Sequence, residues 1–98
     1  MWIGFADFDF LLGDVSSLKE KRSVVRPIVA DIRKRFAVSV AEVGHLDKHR
    51  RAEIGVSVVA ADRAHVDEVL SGIERAAAGR PEVELLSVRQ RIIEADDI

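Results

Sequence analysis

The sequence predicts an α+β protein of the ferredoxin-like βαββαβ class: a four-stranded antiparallel sheet with two helices on one face. Three observations carry this. Stretches of period-two apolar alternation, as in half-buried strands, are interrupted twice by three- and four-residue apolar spacing, as in amphipathic helices. Each helical stretch opens on a capping residue that follows a strand pattern. The 98 residues are 48% apolar and 33% charged. That suits one core and one domain, 1–98, rather than a disordered tail.

Residues 2–12 read as the first strand, in which Phe8, Phe10 and Leu12 alternate with Asp7 and Asp9. Gly13-Asp14 ends it. Ser17 and Glu20 have the spacing of a capping box, in which each side chain satisfies a free backbone N–H. The first helix then runs to about Phe36, with Leu18, Val25, Ile28, Val29, Ile32 and Phe36 on one stripe. Pro27 deletes the bond to the Ser23 carbonyl, so a kinked helix or two short helices are expected, the kink being favoured.

Val38–Val43 reads as the second strand, and its parity is open, because Val38 and Val40 compete with Ala41 and Val43 for the buried side. Residues 44–51 form a polar hairpin loop, and residues 52–61 a third strand with Ile54, Val56 and Val58 on one face. Asp62 is the expected cap of a second helix, whose stripe is Val66, Val69, Leu70, Ile73 and Ala77. Gly79 and Pro81 mark its exit. Residues 82–93 are the fourth strand, followed by a short acidic tail.

Right-handed crossovers place both helices on one side of the sheet and leave the other side open. The parity of the strands puts Ile3, Phe5, Asp7, Asp9 and Leu11 on that open face, with Glu53, Ser57 and Val59 from the third strand and Leu85, Ser87, Arg89 and Arg91 from the fourth. Asp7 and Asp9 are expected to meet Arg89 and Arg91. Ile3, Phe5, Leu11 and Leu85 are costly to leave in water and form a candidate interface, such as that of a homodimer or regulatory module.

Other candidates are polar. Lys19, Arg22, Arg26 and Arg33 recur at three-, four- and seven-residue steps and share one side of the first helix, with Lys21 beside them. Such a stripe can follow a phosphate backbone, so RNA or a ribosomal particle is a candidate partner. The competing reading is a solvated face neutralised by Glu20 and Asp31. Glu42, His45 and Glu53 form a candidate polar cluster near the hairpin and the only arrangement offered for an enzyme reading. His45 and His49 are four apart, but a loop does not bring such a pair onto one metal.

Absences narrow the classes. There is no cysteine, so no disulfide framework, thiolate metal site or cysteine nucleophile. Net charge is −2, which gives no overall basic field. No run of apolar residues is long enough for a transmembrane helix and no secretory leader is visible, so a cytoplasmic protein is expected. There is no glycine-rich phosphate loop, no aromatic RNA-stacking pattern, no Cys-x-x-Cys and no acylphosphatase-type arginine loop. No metal, cofactor or catalytic residue is expected.

Three segments resemble a known family: Ser-Leu-Lys-Glu-Lys-Arg-Ser-Val-Val-Arg-Pro at 17–27, Arg-Phe-Ala-Val-Ser-Val-Ala-Glu-Val-Gly-His at 35–45, and Arg-Ala-Glu-Ile-Gly-Val at 51–56. They are similar to the YlxP-like family of small bacterial proteins, a domain of unknown function, over essentially the whole chain. The resemblance implies the ferredoxin-like fold and brings no activity, cofactor or catalytic residue. Its members are often encoded beside translation-initiation and ribosome-maturation factors, which implies an RNA- or ribosome-linked role. It marks Lys19, Lys21, Arg22, Glu42, His45 and Glu53 as distinctive polar positions. Leu46 and Asp47 depart from the glutamine–aspartate pair of relatives. The sequence thus favours a non-enzymatic accessory binding protein, with a homodimeric interaction module as the alternative.

Overall fold

The computed structural model describes residues 1–98. Its elements follow the expected order: β1 (Trp2–Leu12), α1 (Leu18–Phe36), β2 (Ser39–Gly44), β3 (Arg51–Ala60), α2 (Arg63–Ala78) and β4 (Val83–Glu94), then a 3₁₀ turn over Ala95–Asp97. The sheet order is β2-β3-β1-β4 and every pairing is antiparallel. This is the ferredoxin-like arrangement, with β1 and β3 central.

Capping chemistry sets the helix starts. Ser17 Oγ accepts from the Glu20 amide at 3.1 Å, and Asp62 Oδ1 from the His65 amide at 2.9 Å. The capping box is only half formed. The Glu20 carboxylate turns to Ser16, accepting from its Oγ at 2.9 Å and its amide at 3.4 Å. The first helix continues through Pro27 as one element, so the proline does not split it. It ends at Ala37, which holds a left-handed φ of 50°.

The core lies between sheet and helices. Phe8, Phe10 and Leu12 of β1 and Ile54 of β3 meet Ile28 of α1 and Val66, Leu70 and Ile73 of α2. Each such side chain contributes roughly 1.5–3 kcal/mol by leaving water. Gly4 permits the closest approach: a Cβ there would stand 2.2 Å from Val66 Cγ1.

One placement on the sheet resolves an open choice and another differs from expectation. Val38 and Val40 are buried, so β2 turns Glu42 to the helix side and Ala41 and Val43 to the open side. In β4 the register shifts between Asp9 and Phe10: Ser87 lies opposite Asp9, but Leu85 opposite Phe10. Leu86 is the extra residue of a β-bulge, which reverses the parity of everything before it. Leu85 therefore packs against the core and drops out of the candidate interface, while Leu86 is 43% exposed.

Candidate functional site

The outer side of α1 is built by helical spacing. Lys19, Arg22 and Arg26 are exposed, and no carboxylate lies within ion-pairing distance of them. Arg22, Arg26 and Arg33 line a trough of about 460 Å³ beside the β2 edge, floored by Val25, Val29 and Ala30. Arg33 is partly committed, since its Nη2 donates to the Val40 carbonyl at 3.1 Å. The two acids expected to neutralise this side are engaged elsewhere. Glu20 turns to Ser16, and Asp31 pairs with Arg35 and Arg80, both at 3.2 Å.

Lys21 does not belong to this surface. It is 2% exposed, its Nζ 2.8 Å from Glu42 Oε2 and donating to the His45 carbonyl at 2.6 Å. Its place in the sequence explains this, because Leu18, Lys21, Val25, Ile28 and Ile32 run at three- and four-residue steps along the inward stripe. The ammonium ties α1 to the β2–β3 hairpin and is unavailable to an external anion.

The polar trio Glu42, His45 and Glu53 is divided by the sheet. Glu42 faces α1, where it lines the arginine trough and pairs with Lys21. Glu53 lies opposite Asp9 on the open face, and His45 Nε2 lies 3.6 Å from Asp9 Oδ1. Glu53 instead joins a group the sequence did not reveal: Asp7, Asp9, His45, Arg51 and Arg89. Arg51 donates to Asp9 Oδ2, and Arg89 Nη2 to Asp7 Oδ2 at 2.8 Å. Asp7 thus meets Arg89 as expected, whereas Asp9 takes Arg51 and leaves Arg91 without a partner. The signal for the Asp9–Arg51 contact was the β1–β3 register, which places Asp9 opposite Glu53 and Leu11 opposite Arg51.

A hydrogen bond with Asp7, partial burial and the Asp7 charge together raise the Glu53 pKa above its ordinary 4.5, while His45 and Arg89 oppose the shift. Gly44 makes room for this carboxylate, since a Cβ there would stand 2.3 Å from Glu53 Oε1. No three His, Asp or Glu side chains converge as metal ligands.

Farther along the open face, a trough of about 660 Å³ is bordered by Phe5 and Val43, floored by Ala41, Gly55 and Ser57, and edged by Arg89 and Arg91. Phe5 is 42%, Val43 53% and Val59 62% exposed. Ile3 and Leu11 are half-buried on the same side. No helix of the protein is long and apolar enough to cross a membrane.

Comparison with known proteins gives concordant family and fold. The chain is 33% identical over 82 residues to the uncharacterized protein YlxP of Bacillus subtilis (strain 168), covering 84% of this chain and 89% of that protein. Among solved structures it is similar to a mutant of SnoaB, a cofactor-independent oxygenase from Streptomyces nogalater. The TM-score is 0.50 and the identity 15%, over 96% of this chain and 92% of that one. At that identity the likeness concerns the fold alone. The family model for DUF503, a protein family of unknown function, matches residues 3–90. With most of its length matched by that model and by YlxP, the chain belongs to the DUF503 family.

Proposed function

We propose that this is a cytoplasmic, non-enzymatic accessory protein that binds RNA, free or within a ribosomal particle, through the outer side of α1. One observation carries the reading: Lys19, Arg22 and Arg26 stand exposed on one helical side without a carboxylate partner, two of them on the rim of a trough. The local acids that would neutralise this face, Glu20 and Asp31, are engaged elsewhere, which leaves the cations free for an anionic partner. Contact would be to phosphate and shape, because stacking aromatics are missing from the sheet positions that would carry them. The gene neighbourhood typical of the family agrees with an RNA-linked role.

The test is binding of purified protein to ribosomal RNA across a salt series. Each neutralised phosphate of a single strand contributes a slope of about −0.7, so three cations give about −2, or roughly 20-fold weaker binding between 50 and 200 mM salt. A Lys19→Glu/Arg22→Glu/Arg26→Glu variant is expected to lose binding and slope together. Equal affinity in the variant, or no binding by the parent at low salt, removes this reading.

A further inference from the structure

The helices cover one side of the sheet and nothing in the chain covers the other. Phe5, Val43 and Val59 remain substantially exposed there, the first two beside a trough with small residues on its floor. The charges of this face are incompletely matched within one chain. Asp7 has Arg89 and Asp9 has Arg51, but Arg91, Glu53 and, below the bulge, Glu84 have no ion-pair partner. Glu53 instead lies diagonally across the β1–β3 register from another acid, Asp7. A surface with an apolar centre, a spare cation and spare carboxylates is complementary to itself.

We propose that the open sheet face is the interface of a two-fold homodimer in which Phe5 of each copy rests on the Ala41–Gly55 floor of the other and Arg91 of each meets Glu53 of the other. The strand register allows one symmetry axis to meet both conditions. Take as origin the point between β1 and β3 at the level of Asp7 and Gly55, which are register partners. With strands about 4.8 Å apart and about 3.3 Å per residue, Arg91 lies about 7 Å toward β4 and about 7 Å along the strands. Glu53 lies about 2 Å toward β2 and about 7 Å along them in the opposite sense.

A two-fold axis lying diagonally in the face exchanges the two directions. Measured in the plane of the face, it brings Arg91 to within about 5 Å of the partner copy's Glu53 position; across the roughly 10 Å between stacked sheets, an arginine and a glutamate extended toward each other span the remainder. The same operation sets Phe5 over the partner copy's Ala41 and Gly55. The strands of the two copies then cross at close to a right angle, one of the two preferred ways for sheets to stack. Four strands of these lengths present a face on the order of 600 Å². Crossed at a right angle, two such faces overlap over about 370 Å² from each copy, about 740 Å² together. That is the size of a weak association, so the dimer should form only at tens of micromolar and above.

The test is light scattering of the full chain from about 1 to about 200 µM, with thermal melts to establish folding. The parent is expected to pass from monomer to dimer within that range. Phe5→Asp should weaken the dimer by at least about 30-fold, as loss of a central aromatic anchor does. Ala41→Glu, at an exposed position of an edge strand, should act alike and decides the matter if the Phe5 variant fails to fold. Arg91→Glu and Glu53→Arg should each weaken association, and the double exchange should restore it to within about 3-fold of the parent. A parent monomeric throughout overturns the proposal and leaves the face to another partner. A dimer unaffected by Ala41→Glu places the contact elsewhere. Failure of the double exchange overturns the Arg91–Glu53 pairing. None of these variants touches Lys19, Arg22 or Arg26, so the RNA reading stands or falls separately.

Discussion

Lys21 exchanges its hydration for two protein partners, the Glu42 carboxylate and the His45 carbonyl. Lys21→Met removes the cation while Glu42 remains held near the helix with its side chain only 22% exposed. The expected cost is about 3 kcal/mol, the lower end for breaking a buried pair because Glu42 keeps some water. Urea denaturation would read it, and Lys21→Met/Glu42→Leu should recover most of the loss by removing both charges. Glu53 acts in the opposite direction. Its folded pKa is raised, so the folded chain holds this proton to higher pH than the unfolded chain does. The stability it contributes is full below about 4.5 and is lost as pH rises through the folded value. At neutral pH an ionised Glu53 beside Asp7 is therefore a cost. Glu53→Gln should make the dilute monomer more stable than the parent at pH 7, the gain fading as pH falls toward 4.5. An equal gain at both pH values would show that charge is not its cause.

At the scale of elements, the end of α1 is the place where backbone conformation opposes the side chain. Ala37 adopts φ 50°, which costs an alanine about 1–2 kcal/mol and glycine almost nothing. Ala37→Gly should raise stability by about 0.5–1 kcal/mol after the greater unfolded-state freedom of glycine is subtracted, read as a higher melting temperature. Much of the element level was legible beforehand. Periodicity assigned the faces of β1 and β3 correctly, and Ser17, Asp62 and Gly79 marked helix ends that the structure retains. Three features were not legible, each for a physical reason. The parity of β2 is degenerate in hydrophobicity within the strand, and the contact that accompanies the observed choice, Lys21–Glu42, is long-range. The bulge hides in Leu85-Leu86, two identical residues of which either could face inward. Lys21 was counted with its charged neighbours, although its phase along the helix placed it inside.

At the scale of the molecule, the segregation of helices to one side and open sheet to the other gives the two proposed surfaces separate addresses. Binding along α1 therefore does not compete with pairing across the sheet. The candidate site was legible only in part. The exposed cations were visible as a stripe, because helical spacing fixes a common side. The acidic group was not, because it assembles from β1, the hairpin and β3 through a register that only the folded sheet defines. The two edges of that sheet complete the picture. On β2, Arg33 occupies the Val40 carbonyl. On β4, the bulge at Leu86 bends the strand, and Glu84, Arg89 and Arg91 leave it charged. Neither edge offers a straight row of free amides and carbonyls on which a further chain can template itself. The consequence concerns solubility: at high concentration or in a crowded cell, runaway growth into fibrils by strand addition is obstructed at both ends of the sheet.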